Sequence, residues 1–368
     1  MTIMAHDLIT AVDELAPADR PLMVHVSLRS FRAPIAEGAD TLLDALLTRG
    51  RTVLVPAFTE PQFGLPAPAA MRPARNGVDY ATYPAEPPWP EGVAYTPACE
   101  LINAGLGVFP ATLIKRAGAV RGRHPLNSFA AFGPLAKELI AAQSPADVYG
   151  PIRELGAREG RILLIGVGLN RMTAIHLAEQ QSGRRLFLRW AKAAAGRVSI
   201  FEVGSCSEGF PRLEPVLRQY ARPAVVGDSQ WRAFPARQVL DAASTAIRQD
   251  QGITHCGDGD CLLCRDSIAG GPVETTPAGQ FFRIRRHLCR CPTLARLLPS
   301  AQTNPTPRTI ATLTDRALIG EGVRSGRWLV DDLRLVRADL DVLRAGMARS
   351  AAIADRAESA LYVLQVVL

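Results

Sequence analysis

The chain has 368 residues, 48% of them hydrophobic and 21% charged, which is typical of a globular protein and excludes an intrinsically disordered one. Its net charge is +7, with arginine as the main source, yet no run of consecutive basic residues is present to follow a nucleic-acid backbone, which excludes nucleic acid as a partner. No apolar run is long enough to span a membrane and no positive leader opens the chain, so we expect a soluble, cytoplasmic protein without a signal peptide.

The first elements alternate between helix and buried strand. Residues 6–18 are predicted to form a helix, PLMVHVSL (21–28) a strand, 39–48 a helix and RTVLVPAFT (51–59) the next strand. This alternation indicates a parallel sheet covered by helices. The proline-rich stretch 60–98 is predicted to be a long loop, of the kind that often forms a lid or a binding loop.

The middle of the chain continues this pattern. Helices are predicted over 106–117, 128–142, 210–221 and 236–250, and RILLIGVG (161–168) is predicted to be another buried strand. We therefore expect an α/β fold, layered α/β/α with a central, largely parallel or mixed sheet, plus a helical C-terminal extension.

Composition divides the chain into three segments. Residues 1–252 carry the α/β pattern, 253–300 form a cysteine- and arginine-rich extension, and 301–368 form a C-terminal helical segment. In the last segment, apolar residues recur at alternating steps of four and three. This stripe predicts a terminal helix packed on its own chain or, as the alternative, a homodimer through the C-terminal helix.

The stretch LNRMTAIHLAE (169–179) follows the strand predicted over 161–168. Asn170 is expected near the N-cap of a helix, and Thr173, His176 and Glu179 then share one helical face. A histidine in this position is suited to act as a general base, with the glutamate fixing its tautomer and stabilising the imidazolium. The alternative is a structural histidine on an interior helix face.

This stretch is one of five motifs that share an order and spacing with a known family. The others are VHVSLRSF, AVRGRHPLNSFAAFGPLAKEL, CSEGFPRLEPVL and HCGDGDCLLCRDS. The chain resembles the aminoglycoside 3-N-acetyltransferases, which are distinct from the GNAT acetyltransferases, over residues 20–266. The resemblance implies acyl transfer from acetyl-CoA, or another acyl-CoA, to a small-molecule amine, and it places this activity in residues 1–252.

The same resemblance implies roles for individual residues. His176 is expected to deprotonate the amine, Glu179 to orient His176, and Thr173 to lie near the thioester. Cations near the cofactor phosphates, such as Arg121, fit the same scheme. The expected cofactor-binding residues are Ser27, Leu28, Arg29, Ser30, Arg121, His124, Pro125, Ser128 and Asn170.

Two features depart from the family pattern. Asn127 stands where many members have a second histidine, and the chain is net basic although aminoglycosides are polycations. Acids that can serve an amine-binding site are Glu60, Asp79, Glu86, Glu100, Glu202 and Glu208. Two alternatives remain open, namely a biosynthetic amide-forming enzyme with another acceptor and a non-catalytic relative that binds or assembles with a partner.

The seven cysteines are an odd number in a chain for which a reducing compartment is expected, so we predict no disulfides. Cys256, Cys261 and Cys264 form C-x4-C-x2-C, a spacing suited to tetrahedral zinc. The fourth ligand is predicted to be Cys291 or Cys289, and a closed site of this kind is structural. Reduced cysteines in a tight Gly-Asp loop are the alternative.

Overall fold

A computed structural model describes residues 2–60, 63–67, 72–82, 94–145, 147–192 and 198–273. The chain divides into two compact units, one of residues 1–66 with 75–272 and one of residues 67–74 with 273–368. Residues 253–272 thus belong to the same unit as the predicted α/β domain. The predicted C-terminal helical segment with its homodimer alternative, and Cys291, lie outside the described residues and stay predictions.

The first unit contains every helix and strand considered below. The helices are α1 (Ala5–Leu15), α2 (Ala39–Leu47), α3 (Val108–Lys115), α4 (Ala136–Ala141), α5 (Gly150–Ala157), α6 (Ala174–Gln181), α7 (Glu214–Leu217), α8 (Ala236–Gln249) and α9 (Leu262–Ile268). The strands are β1 (Pro21–Val26), β2 (Thr52–Pro56), β3 (Gly64–Leu65), β4 (Val120–Arg121), β5 (Phe129–Phe132), β6 (Arg161–Ile165), β7 (Phe187–Lys192), β8 (Val198–Val203), β9 (Arg222–Val226) and β10 (Ser229–Pro235).

Seven strands form the central sheet, in the order β4-β5-β2-β1-β6-β10-β9. The middle strand β1 pairs in parallel with both β2 and β6, whereas the outer strands pair antiparallel. In the register of the central pair, Met23 is opposite Ile162 and Val24 is opposite Leu163. The sheet is therefore mixed, with a parallel centre, as the sequence predicts.

Alternate residues of the central strands enter two separate cores. Met23 and Leu54 pack with α4, α5, α6 and α8 on one face of the sheet, whereas Val24 and Val53 pack with α1, α2 and α3 on the other. Successive side chains of a strand point to opposite faces, so a strand covered on both faces is apolar throughout. This explains the largely apolar runs of β1, β2 and β6, in which His25 is the one polar residue beyond the first position of each strand, and it confirms the layered α/β/α fold.

A second, smaller sheet has the order β3-β7-β8 and is antiparallel. Its apolar residues form a separate cluster that includes Phe63, Tyr95, Phe187 and Phe201. The proline-rich stretch 60–98 was predicted to be a loop throughout, but it supplies β3 to this sheet.

The helix predicted over 128–142 is wrong in its first half. Residues 129–132 form β5, and the helix begins only at Ala136. Gly133 separates the two with φ +122°, and a Cβ there would lie 2.7 Å from the carbonyl oxygen of Arg51. Gly133 and Pro134 therefore interrupt an apolar pattern that otherwise resembles a helix.

None of the helices that the structure describes combines the length and apolar character needed to cross a membrane.

Candidate active site

A cavity of about 850 Å³ lies beyond the carboxyl ends of the parallel strands β1, β2 and β6. Parallel α/β sheets bind their ligands at this edge because the loops that follow the strands meet there. The polar side chains that line it belong to His25, Ser27, Arg29, Glu60, Asn127, Tyr149, Asn170, Arg171, Thr173, His176, Ser205 and Ser207.

The segment after β6 that lines the cavity consists of a short turn followed by helix α6. Leu169–Arg171 form a single 3-10 turn, and α6 begins only after Thr173, which is its N-cap. Asn170 was expected near the N-cap, but it lies before the helix, and its side-chain amide donates to Glu208 at 3.2 Å. Thr173 and His176 line the cavity one helical turn apart.

The ring of His176 is fixed on three sides. Its Nδ1 atom lies 2.9 Å from Oε2 of Glu179, Tyr149 stacks nearly parallel to it at 5.9 Å, and Phe210 meets it edge-on at 4.8 Å. A carboxylate only accepts hydrogen bonds, so Nδ1 carries the proton in this contact. Nε2 is then the basic atom of a ring that lines the cavity.

Glu179 is held by a larger set of partners. Its Oε1 accepts from Arg184 at 2.6 Å and from the hydroxyl of Thr254 at 3.3 Å, while Oε2 also accepts from Ser205 at 2.8 Å. Burial raises the pKa of Glu179, but the hydrogen bond and charge of His176, the charge of Arg184 and the hydrogen bond of Ser205 outweigh it and lower this pKa below its ordinary value. The carboxylate therefore stays ionised next to the imidazole.

Gly204 explains how Ser205 reaches this carboxylate. A Cβ at residue 204 would lie 2.5 Å from the hydroxyl of Tyr149 and 2.9 Å from Cδ2 of His176. Only glycine allows the chain after β8 to pass this close to the imidazole ring. The same segment places Ser205 in the cavity wall.

Part of the loop after β1 lines the cavity, and part of it contacts the protein itself. Ser27, Leu28 and Arg29, three of the predicted cofactor-binding residues, line the cavity. Ser30 is not among its lining residues, and its hydroxyl contacts the carbonyl of Ser27 at 2.6 Å and the hydroxyl of Ser229 at 2.7 Å.

Arg121, predicted to contact the cofactor, is a buried structural cation. Its guanidinium donates to the backbone carbonyls of Cys99, Ala57 and Leu101 and to the hydroxyl of Ser128. Arg121 and Ser128 do not line the cavity. Their polar groups serve the protein backbone, so the geometry does not support the predicted phosphate contact.

The contacts of His124 and Pro125 also do not support a ligand-binding role. Nδ1 of His124 accepts from the backbone amides of Leu126 and Asn127, and the carbonyl of Pro125 accepts from Thr59. Burial lowers the pKa of His124 to about 3, so the ring is neutral. Neither residue lines the cavity.

Asn127 and His25 are the buried polar residues of the cavity wall that keep an unpartnered atom. Oδ1 of Asn127 and Nε2 of His25 have no hydrogen-bond partner among the described residues. Burial and the charge of Arg171 lower the pKa of His25 to about 3. Buried polar groups without a protein partner are costly unless a ligand or water satisfies them, so these atoms can form hydrogen bonds to a ligand or to water in the cavity.

Four cysteines converge behind this site. The Sγ atoms of Cys206, Cys256, Cys261 and Cys264 all lie within 4.8 Å of one another. The predicted trio is thus brought together, but the fourth thiol comes from Cys206, which the sequence analysis did not consider. Cys291 lies outside the described residues.

Several further residues at the site were missed. Tyr149, Arg184, Ser205 and Thr254 all contact His176 or Glu179. They come from four separate segments and belong to no compact motif with a chemical signature. One signal was present in the sequence. A glutamate on a buried helix face needs a positively charged partner, which predicts that a cation such as Arg184 lies beside Glu179.

The chain matches a known protein family and several known proteins. The profile of the family described as Aminoglycoside 3-N-acetyltransferase matches residues 23–248, more than half of the chain. Aminoglycoside N(3)-acetyltransferase IV from Salmonella sp is 31% identical over 262 residues, which cover 67% of this chain and 89% of the relative.

Two solved structures show the same fold. Aminoglycoside acetyltransferase AAC(3)-IVa in complex with a gentamicin is 22% identical, covers 73% of this chain and 98% of its own, and has a TM-score of 0.58. The complex of AAC-IIIb with CoASH is 20% identical, covers 68% and 97%, and has a TM-score of 0.56.

The match to the family profile and the identity to the Salmonella relative carry more weight than the fold, because each covers most of the α/β region. They confirm the family that the five sequence motifs indicate. The chain belongs to the aminoglycoside 3-N-acetyltransferase family and is an acetyl-CoA-dependent N-acetyltransferase.

Proposed function

We propose that the protein transfers the acetyl group of acetyl-CoA directly to an amine of an aminoglycoside, with His176 as the general base. The observation that carries this proposal is the 2.9 Å contact between Nδ1 of His176 and Oε2 of Glu179. The contact fixes the tautomer and leaves Nε2 as the basic atom of a ring in the cavity wall.

The proton balance of the reaction fits this arrangement. Nε2 of His176 takes a proton from the acceptor amine while the lone pair of the amine nitrogen forms a C–N bond with the carbonyl carbon of the thioester. The C–S bond then breaks, and the departing thiolate takes a proton and leaves as free CoA. The ionised Glu179 stabilises the imidazolium that forms between these steps. The hydroxyl of Thr173, in the same wall, is suited to donate its proton to the departing sulfur and take the imidazolium proton in its place, which returns both Thr173 and His176 to their neutral forms.

The donor half of the cavity is assigned to the loop after β1. Ser27, Leu28 and Arg29 offer backbone and side-chain contacts for the pantetheine arm, and Arg29 and Arg171 are exposed guanidinium groups in the cavity wall. An exposed arginine keeps its donors available for phosphate. We assign to these two residues the phosphate contact that was predicted for Arg121.

The acceptor half is assigned to the side of the cavity that Glu60 lines. The other acids named from the sequence, where the structure describes them, do not line the cavity. Burial raises the pKa of Glu60, and the charge of Arg189 acts in the opposite direction. Oδ1 of Asn127 is a further acceptor for an ammonium or a hydroxyl group of the substrate.

The test is release of CoA thiol by the full chain from acetyl-CoA, across a panel of 2-deoxystreptamine aminoglycosides and simple diamines. His176→Asn is expected to lower kcat by roughly 10²–10⁴-fold. The matched control is His6→Asn, since His6 also contacts a neighbouring carboxylate, that of Asp7, but is largely exposed. Mass spectrometry and NMR of the product identify the acetylated amine.

The outcomes separate the remaining alternatives. Transfer to aminoglycosides that depends on His176 supports the proposal, whereas transfer only to other amines identifies a different acceptor, which the +7 net charge would favour. If acetyl-CoA does not bind, or if His176→Asn retains full activity, the proposed mechanism is wrong.

A further inference from the structure

The four converging thiols have the spacing of a metal site. In a tetrahedral site with Zn–S bonds of about 2.3 Å, neighbouring sulfurs are about 3.8 Å apart. The Sγ atoms of Cys206, Cys256, Cys261 and Cys264 all lie within 4.8 Å of one another, and each cysteine is a free thiol. Soft thiolates select zinc over the harder divalent ions, and four of them leave no open position for a substrate.

The backbone between these thiols favours thiolate ligands. The amide of Cys256 donates to Sγ of Cys264 at 3.4 Å, a contact that stabilises negative charge on sulfur. Gly257 adopts φ +92°, which allows the chain to turn directly after the first ligand of the C-x4-C-x2-C segment. Cys264 is buried and the other three cysteines are half-buried, so an ion at this point is shielded from solvent.

We propose that Cys206, Cys256, Cys261 and Cys264 bind one structural Zn²⁺ ion, and that this ion joins the two loops that hold Glu179. Cys206 replaces Cys291 or Cys289 as the fourth ligand. The catalytic part of this inference rests on the proposed function, whereas the metal site does not.

Each of the two loops contacts Glu179 next to its metal ligand. Ser205, the neighbour of Cys206, donates to Oε2 at 2.8 Å, and Thr254, two residues before Cys256, donates to Oε1 at 3.3 Å. Opposite oxygens of one carboxylate are thus held by residues that lie one and two positions before the metal ligands. An ion that fixes the cysteines therefore fixes the carboxylate that orients His176.

The two loops also touch directly. A Cβ at Gly209 would lie 2.1 Å from the carbonyl oxygen of Thr254 and 2.4 Å from the carbonyl carbon of His255. The loop that carries Cys206 consequently packs against the backbone that leads into Cys256 without any side chain between them. This contact brings the fourth thiol to the other three.

The first experiment measures metal content. The full chain, purified without chelators, is expected to contain about one zinc ion per molecule by plasma mass spectrometry. Cys206→Ser is expected to lower this content at least about tenfold, whereas Cys99→Ser, which changes a half-buried thiol outside the cluster, leaves it unchanged. The double variant Cys289→Ser/Cys291→Ser is also expected to keep its zinc.

Zinc-free wild-type protein would overturn the metal site, and loss of zinc in the Cys289/Cys291 double variant with retention in Cys206→Ser would overturn the ligand assignment. Should Cys206→Ser fail to fold, Co²⁺ substitution of the wild-type chain decides the question without a variant. Intense thiolate charge-transfer bands with the visible bands of a tetrahedral ion are expected, and an octahedral spectrum contradicts the site.

The second experiment tests the link to Glu179. Ser205→Ala is expected to keep its zinc but to lower kcat roughly tenfold, with the KM for acetyl-CoA within about twofold, because only the positioning of Glu179 changes. Combined with Cys206→Ser, it is expected to lower kcat little beyond the effect of Cys206→Ser alone. If the two substitutions instead lower kcat independently, so that their effects multiply, the ion stabilises the fold without positioning Glu179, and the proposed link is wrong.

Failure of the proposed function is distinguishable from failure of this inference. The Nδ1 proton of His176, hydrogen-bonded to a carboxylate, gives a downfield proton NMR signal that needs no substrate. We expect this signal to be lost on zinc removal and in Ser205→Ala but kept in Cys99→Ser. Its persistence in the zinc-free protein would contradict the positioning role, whether or not the protein acetylates aminoglycosides.

Discussion

The segments RGRHPLNS (121–128) and LNRMTAIHLAE (169–179) both carry polar side chains of the family pattern, but they use them in opposite ways. In the first, Arg121 and His124 direct their hydrogen bonds to backbone groups and do not line the cavity. In the second, His176 uses one ring nitrogen for Glu179 and keeps the other for the cavity.

The difference indicates which polar groups of a motif keep hydrogen-bonding capacity for a ligand. A buried arginine with four protein acceptors has little to offer a phosphate, although its residue type is ideal for one. Nε2 of His124 and Oδ1 of Asn127 both lack a partner among the described residues, but only the side chain of Asn127 lines the cavity, which makes it the exception in the first segment.

The largest effect is expected at the carboxylate of the second segment. Glu179→Gln keeps the side-chain shape but removes the charge that stabilises the imidazolium of His176, and kcat is expected to fall roughly 10²–10⁴-fold. Arg184, 4% exposed, also loses its counter-ion, which destabilises the fold by about 3–5 kcal/mol. Steady-state kinetics and urea unfolding measure both effects, and an unchanged kcat would contradict the role of the pair.

In the first segment, the expected loss is of stability and not of cofactor affinity. Arg121→Met removes the donor to the carbonyls of Cys99 and Leu101 and to the Ser128 hydroxyl, while the Ala57 carbonyl keeps the Ser128 hydroxyl as a donor. The substitution is expected to lower the free energy of unfolding by about 3 kcal/mol. Arg123→Met, an exposed position in the same motif, is the matched control. Titration calorimetry is expected to give an unchanged Kd for acetyl-CoA in the folded Arg121→Met protein, and a large rise in Kd would restore the predicted phosphate contact.

A smaller effect is expected from pH. His124 has a native pKa of about 3, lowered by burial, whereas an unfolded histidine has a pKa of about 6.5. Only the unfolded state therefore gains a proton as the pH falls, so stability is full above about pH 6.5 and decreases towards pH 3. Between about pH 7 and about pH 5 this histidine is expected to cost about 2 kcal/mol of unfolding free energy.

His124→Asn keeps a side-chain acceptor for the two amides and removes the titrating group. Urea unfolding at the two pH values is expected to show a loss that is smaller by that amount in the variant. Equal losses in wild type and variant would mean that His124 is not the neutral, buried group described above.

The smallest effect is expected at Asn127. Asn127→Ala removes the unpartnered amide oxygen from the cavity wall, and the KM for the acceptor amine is expected to rise less than about tenfold with the KM for acetyl-CoA unchanged. Because this oxygen has no partner among the residues that the structure describes, stability is expected to change little. A shift confined to the KM for acetyl-CoA would move Asn127 to the donor half of the cavity.

Much of the fold was predictable because the central strands are buried on both faces. The apolar runs at β1, β2 and β6 follow from this. The helical periodicity of α8 follows from its single buried face. The strands β7 and β8 were not predicted, and β5 was taken for part of a helix. The apolar runs of these strands are short and lack a decisive period. After β5, Gly133 ends the strand, and its conformation depends on a close contact with Arg51, which is remote in sequence.

The site was predictable where its residues are close in sequence. Thr173, His176 and Glu179 share one helix face, so spacing alone brings them together. Ser205 and Thr254 reach Glu179, and Cys206 reaches the other three thiols, through tertiary contacts that no local pattern encodes. Arg184 lies only five residues after Glu179, but it follows the end of α6, so helical spacing does not place it there. Whether the polar groups of a motif are consumed by backbone contacts, as at Arg121, is likewise a property of the folded chain alone.

The most direct test of the central claim is the single-turnover rate of acetyl transfer at saturating acetyl-CoA and saturating aminoglycoside, for His176→Asn and for His124→Asn. Saturation removes differences in binding, so the rate reports the chemical step. We predict a loss of roughly 10²–10⁴-fold for His176→Asn and less than about tenfold for His124→Asn. Equal rates in the two variants, or a greater loss at His124, would contradict the assignment of the general base.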